Sequence, residues 1–316
     1  MTNQFHIDFN IPKENIGLDY QSSILTMGSC FSEEIGEQLI NAGFDVMVNP
    51  YGTLFHPLSI INALSFALGE RNVHPIKKGD VYLDFGFSGK IYGMSEEELS
   101  NRLNVIGDQV AHKLKHATHL FLTFGTAVGY ELASKFFVAN CHQQPATLFT
   151  KVMSTLRDMN LSMETILDKL YELNPKLKLV LTVSPVRHLK EGVILNSRSK
   201  ALLIALCDQL ETRGIHYFPA YEIFMDELRD YRFSKADFSH PNEIAVRYIW
   251  ERFKQTYLND EIYSVCAEVE SYHRSLLHKF FYPESKEVTH FIEKLKSTHE
   301  NLISRIPNLR LKNPTH

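Results

Sequence analysis

The chain has 316 residues, 44% of them hydrophobic, which is enough to fill a sizeable core and argues against disorder. Its 33 Lys+Arg against 37 Asp+Glu leave a net charge of −4, without the basic excess that sustained contact with a phosphate backbone needs, so nucleic acid is not an expected partner. The four cysteines, at 30, 141, 207 and 266, are too few and too scattered for a disulfide framework, and none stands in a C-x-x-C pair.

The N-terminal stretch MTNQFHIDFNIPKENIGLDY has no charged leader, apolar stretch or small-residue cleavage site. No apolar run approaches about 18 residues, so no membrane span is expected and the reading is cytoplasmic. Short apolar runs then alternate with helical periods, the pattern of an α/β domain with a largely parallel sheet. Strands are predicted at Ile24 to Met27, Phe44 to Val48, His119 to Phe124, Leu177 to Val183 and Ile215 to Phe218, each stopping at turn-forming residues. Between the first two, Ile35, Leu39 and Ile40 are spaced for one helical face, with Ser32 as N-cap and Gly43 as stop.

An insertion around 53–115 carries a helix from Pro57 to Leu68, a hairpin over Val81 to Tyr92 turning at Asp84 to Gly89, and a charged helix from Ser95 to about Lys115. A second insertion, around 128–145, precedes a long helix placed at Thr150 to Glu172. The last helix of the main domain, 1–258, starts near His240-Pro241-Asn242 and puts Ile244, Tyr248, Ile249 and Phe253 on a 3.6 period. Residues 259–316 read as a helical C-terminal extension, Cys266 to Phe281 and Glu284 to Ile306, suited to forming a homodimer.

Two segments carry the chemistry. Gly28-Ser29-Cys30 places a hydroxyl and a thiol after the first strand, where open α/β sheets bind ligands, and just before a helix whose N-terminus favours a thiolate or oxyanion. The bland reading is a turn with a buried cysteine. Far down the chain, Asp237-Phe238-Ser239-His240 lets a carboxylate reach imidazole Nδ1, leaving Nε2 free to take a proton, although either residue would also serve as a helix cap. Ser197 and Lys200 read as the polar face opening a helix, with a nearby cation able to lower a thiol pKa. Arg187, after the fourth strand, would hold an anionic substrate or pair with a surface carboxylate, while Tyr51, His56, Tyr130 and Glu222 are either cleft or core residues.

Gly28-Ser29-Cys30-Phe31-Ser32 resembles the GSCFA motif, with Ser32 in place of its final Ala. Phe124 to Ala127, Asn140-Cys141-His142, Thr182 to Val186, Tyr217-Phe218-Pro219 and Asp237-x-x-His240-Pro241 also resemble that family, over about residues 25 to 258. GSCFA proteins are grouped with the SGNH, or GDSL-like, hydrolases. The resemblance therefore implies a three-layer α/β sandwich with a flavodoxin-like five-stranded sheet, and cleavage or transfer of acyl esters. It makes Cys30 the nucleophile, or Ser29 after a shift of one residue, and Gly52 a backbone oxyanion donor. The asparagine of the Gly-x-Asn block falls on Ala127, so Thr126, Asn140 or His142 would have to replace it, and the Asp-x-x-His block falls on Asp237 and His240.

The expected reaction is an acyl-ester hydrolase or acyltransferase acting on a small-molecule or carbohydrate ester, with neither metal nor organic cofactor. The competing expectation is an SGNH-derived binding or scaffolding protein that lost catalysis, which the alanine at 127 and the helical tail favour.

Overall fold

The structure, a computed structural model, describes residues 7 and 9–314, so the N-terminal stretch read from the sequence lies partly outside the described residues. In chain order the elements are β1 (Ser23–Gly28), α1 (Cys30–Asn41), β2 (Asp45–Val48), α2 (Pro57–Ala67), β3 (Ile76–Lys78), β4 (Val81–Leu83), α3 (Glu96–His116) and β5 (His119–Phe124). They continue with β6 (Val128–Leu132), β7 (Phe137–Val138), β8 (Phe149–Met153), α4 (Leu156–Leu173), β9 (Lys178–Val183), α5 (Val193–Glu211) and β10 (His216–Phe218). The chain ends with α6 (Ala220–Glu222), α7 (Glu243–Tyr257), α8 (Asp260–Leu276) and α9 (Lys286–Arg305).

The main sheet has five strands in the order β10-β9-β5-β1-β2, every neighbouring pair parallel. Counted along this sheet alone the order is 2-1-3-4-5, the flavodoxin-like winding, whose direction reverses beside the first strand. Because the sheet is covered on both faces, its three central strands are mostly apolar and buried, and their residues alternate between two cores. Leu25, Leu120, Leu122, Leu179 and Leu181 join the α2–α5 side with Leu64, Leu103, Met163 and Leu206. Ile24, Phe121 and Val180 face the other way, against Phe31, Leu39, Ile249 and Phe253. The expected three-layer α/β sandwich is therefore the fold.

Several local expectations shift for identifiable reasons. Helix α1 opens at Cys30 with Ser29, not Ser32, as its N-cap, and Ser32 is buried in the first turn. The antiparallel ladder pairs β3 with β4, while the expected hairpin closes as a single Tyr82–Gly93 bridge around a turn at Asp84, whose carboxylate accepts from the Gly86 and His74 N–H groups and pairs with Arg71. Phe149–Met153 pairs with β6 as a strand, so α4 starts only at Leu156, capped by Thr155. In α7 the buried stripe is Ala245, Val246, Ile249, Trp250 and Phe253, while Ile244 is 63% exposed. The C-terminal helices pack inward: Cys266, Val269, Tyr272, Leu295 and Leu302 share the core with Phe31 and Leu39 of α1. Among the described residues no helix is long and apolar enough to cross a membrane.

Buried histidines make stability depend on pH. His56 caps α2, its Nδ1 accepting from the Leu58 N–H, and burial pushes its pKa down to about 3. His119 and His142 are also lowered by burial. Each binds a proton in the unfolded chain below about pH 6.5 and does so in the folded chain only at lower pH. Acid therefore favours unfolding, by about 1.4 kcal/mol per pH unit for each such group. Urea midpoints should fall steadily from pH 7 to pH 4.5, and a flat profile would contradict the burial of these rings as neutral imidazoles.

Candidate active site

The carboxyl end of β1 turns sharply. Gly28 has φ +143, and a Cβ there would lie 2.2 Å from the Thr123 carbonyl oxygen, so only glycine fits. Its N–H donates to Asn49 Oδ1 at 2.9 Å, its carbonyl accepts from Leu54 N–H at 2.8 Å, and Ser29 N–H donates to Thr123 O at 3.0 Å. This corner, tied to β5 and to the loop after β2, sets Cys30 at the first residue of α1.

Cys30 is half-buried and lines a cleft of about 510 Å³ together with Thr53, Thr126, Tyr130, Arg187, His188, Asp237 and His240. Ser29 has no part in that lining: it is fully buried, and its Oγ has no hydrogen-bond partner among the described residues. Burial and then Glu33 push the Cys30 thiol up, while the backbone N–H groups of Cys30 and Phe31 pull it back down. The opposing N–H effect is what a helix N-terminus supplies.

His240 Nδ1 lies 2.6 Å from Asp237 Oδ2. Asp237 Oδ1 accepts from the N–H groups of Ser239 and His240 at 2.9 and 3.1 Å, and these bonds, with the imidazole, hold its carboxyl at about 2. The carboxylate thus persists across the physiological range and selects the tautomer with Nδ1 protonated and Nε2 free. Phe238, at φ +55, makes the turn that allows this contact.

Arg187 braces the same turn, its backbone N–H donating to Ser239 O at 2.9 Å and its guanidinium to Phe238 O. Among the described residues it forms no ion pair with a carboxylate, so it serves the turn instead of a surface acid. Beside it His188 stacks edge-on against Phe55 at 5.3 Å, and burial, with Lys200 and His240 nearby, lowers it to about 4, so it is neutral at pH 7.

The residues expected to complete an oxyanion hole are distributed differently. Gly52 N–H is taken by Asn49 O at 2.7 Å, within the turn that its φ of +72 requires. Thr53 and Phe55, which follow it and do line the cleft, have backbone N–H groups with no hydrogen-bond partner among the described residues. Thr126 lines the cleft, but its hydroxyl is engaged by Ser199 Oγ at 3.0 Å and Val128 N–H at 3.0 Å.

Asn140 and His142 do not fold over the thiol. They line a separate hollow of about 420 Å³ with Lys78, Gly89 and Gln143, held there by the Asn140 Oδ1 to His142 N–H bond and by His142 Nε2 on Asp84 O. Of the other residues considered from sequence, Tyr130 lines the cleft, Tyr51 and His56 are core, and Glu222 is half-buried, its carboxylate accepting from the Tyr217 hydroxyl. Among the described residues no group of three His, Cys, Asp or Glu side chains is placed to hold a metal ion.

The GSCFA family model matches residues 23–253, from β1 into α7. The chain belongs to the GSCFA family. No curated protein matches it. Solved structures similar to this GSCFA protein include the Clostridium thermocellum family 3 carbohydrate esterase, at 12% identity and TM-score 0.37, covering 78% of this chain and 98% of that one. A family 3 carbohydrate esterase from Talaromyces cellulolyticus aligns at 9% identity and TM-score 0.34, over 73% of this chain and 94% of that one.

Lys200 is another residue of the GSCFA domain that sequence reading placed wrongly. It lies not on the polar face of α5 but completely buried, Nζ donating to Gly125 O at 2.7 Å and Ser184 O at 2.6 Å. The signal was present: Asn196, Lys200, Leu203, Cys207 and Leu210 fall on one buried helical face at the 3.6 period.

Proposed function

We propose that this GSCFA protein is an acyl-ester hydrolase or acyltransferase of the SGNH type with Cys30 as nucleophile. The observation that carries the reading is the sharing of one cleft by Cys30 and the Asp237-bonded His240, brought together from opposite ends of the domain.

In the first step His240 Nε2 takes the proton from Cys30 Sγ as sulfur bonds to the ester carbonyl carbon. The tetrahedral oxyanion is stabilised by the N–H groups of Cys30 and Thr53. The C–O bond then breaks, and His240 returns the proton to the departing alkoxide, leaving a thioester on Cys30. Water or an acceptor hydroxyl, deprotonated by His240, attacks that thioester and releases Cys30 as the thiol. A small-molecule or carbohydrate ester suits the cleft volume, and thioester chemistry favours transfer to an acceptor.

The test is intact-protein mass spectrometry after incubation with an activated acyl ester such as p-nitrophenyl acetate. Wild type and Ser29→Ala should gain one acyl group and Cys30→Ala none. Equal labelling of Cys30→Ala and wild type would exclude Cys30 as the acylated residue.

A further inference from the structure

The Asn140-Cys141-His142 segment, kept apart from the cleft, builds a polar site of its own. His142 is 5% exposed and stacks on Phe85 with ring centroids 6.1 Å apart. Its Nε2 lies 2.9 Å from Asp84 O, and because a carbonyl oxygen only accepts, Nε2 carries the ring proton. Burial lowers the imidazole pKa, so the ring is neutral at pH 7 and Nδ1 keeps a bare lone pair. Among the described residues no donor reaches that lone pair. Asn140 Oδ1 is committed to the His142 N–H at 2.8 Å, whereas its Nδ2 donates to no described residue.

These two free groups converge. A Cβ added at Gly89 would lie 3.4 Å from His142 Nδ1 and 3.7 Å from Asn140 Nδ2. An acceptor and a donor therefore face the one point that this glycine leaves open in the wall of the hollow of about 420 Å³. The hollow also has a sign. Lys78 Nζ makes a single bond, to Gln143 Oε1 at 2.9 Å, and among the described residues no Asp or Glu lines the wall or pairs with it. Val81, Leu83 and Tyr92 supply an apolar side.

The bare imidazole nitrogen requires an O–H or N–H, the amide an oxygen, and the ammonium an anion. Lys78, with no acid beside it, repels a cationic amine. A simple anion would leave Nδ1 unpaired. One hydroxyl that donates to Nδ1 and accepts from Asn140 Nδ2, on a short carbon chain ending in a carboxylate, satisfies all three groups. A single lysine matches the single charge of a carboxylate better than a phosphate dianion.

We propose that this hollow is a binding site for a small hydroxy acid, its hydroxyl seated between His142 Nδ1 and Asn140 Nδ2 and its carboxylate on Lys78. The site is independent of the chemistry of Cys30.

The probe is D-gluconate, compared with sorbitol, which keeps the hydroxyls without the carboxylate, and propionate, which has the carboxylate without a hydroxyl. Nitrogen-15 histidine NMR reads both ring nitrogens of His142, assigned with a His142→Gln variant. The free protein should show Nε2 protonated and Nδ1 bare, and gluconate should shift the Nδ1 signal saturably. Sorbitol and propionate should each bind about tenfold more weakly, having lost one polar contact.

Gly89→Ala should fold and weaken gluconate by about tenfold or more. Its methyl would take the hydroxyl's place at ordinary contact distance, and Gly89 lies outside the left-handed region. Should that variant not fold, Lys78→Met, which gives up only the bond to Gln143, should reduce gluconate binding to the level of sorbitol. A protonated Nδ1, the absence of a saturable shift, or sorbitol or propionate binding as well as gluconate would overturn the proposal. So would undiminished gluconate binding in either variant. No ester enters these measurements, so their outcome is separate from acylation of Cys30.

Discussion

Replacing His240 with alanine should slow acylation of Cys30 by about 10³- to 10⁴-fold, the upper range of what a positioned general base contributes. The thiol makes the dependence strong. Burial and Glu33 raise the Cys30 pKa, so at neutral pH the sulfur is protonated and needs a base at the moment of attack. His188 cannot substitute readily, because burial lowers it to about 4 and so weakens it as a base. Asp237→Asn should show a comparable loss with the turn intact, since an amide can still accept from the Ser239 and His240 N–H groups but no longer selects the tautomer with Nε2 free. Single-turnover mass spectrometry measures both variants. Wild-type acylation rates in His240→Ala would show that the imidazole does not take the proton.

The second large effect concerns the corner that holds Cys30. Gly28→Ala should cost about 3 kcal/mol or more of folding stability, combining strained backbone with steric overlap. The added methyl group would meet the Thr123 carbonyl oxygen at 2.2 Å and its nitrogen at 2.8 Å, and these are backbone atoms of the central strand that cannot rotate away. Gly69→Ala is the matched control. Its φ is +77 with nothing within 4 Å of the new Cβ, so the substitution pays only the left-handed backbone penalty, about 1 kcal/mol. Urea denaturation separates the two, and similar midpoints for both variants would contradict the close approach of β1 to β5.

Much of the fold was legible before any coordinates because its determinants span few residues. The alternation of apolar strands with amphipathic helices, Gly43 after α1, Ser95 before α3 and the start of α7 at Asn242 are all local. The misplaced elements were those in which a distant partner overrides local preference. Phe149–Met153 continues the helical pattern of α4 in sequence but finds β6 to pair with. Asp84 makes its expected turn, accepting from the Gly86 N–H, but the segment closes only as a single Tyr82–Gly93 bridge, and β4 finds its ladder partner in β3 instead. In α7 the burial stripe follows the sheet, which leaves Ile244 outside it.

The amino-acid sequence by itself determined the order of strands and helices, the glycine corner before Cys30, and the turn that puts Asp237 against His240, because each depends on backbone preferences and contacts within a few residues. Only the tertiary structure decided the rest. The parallel sheet carries Cys30 and His240 into one cleft, buries Ser29, separates Asn140 and His142 from it, and places Lys200 beneath the strand ends. These outcomes depend on which side chains lose water when layers pack, and desolvation, which sets the behaviour of Cys30, His188 and Lys200, belongs to the packed molecule and to no segment of its chain.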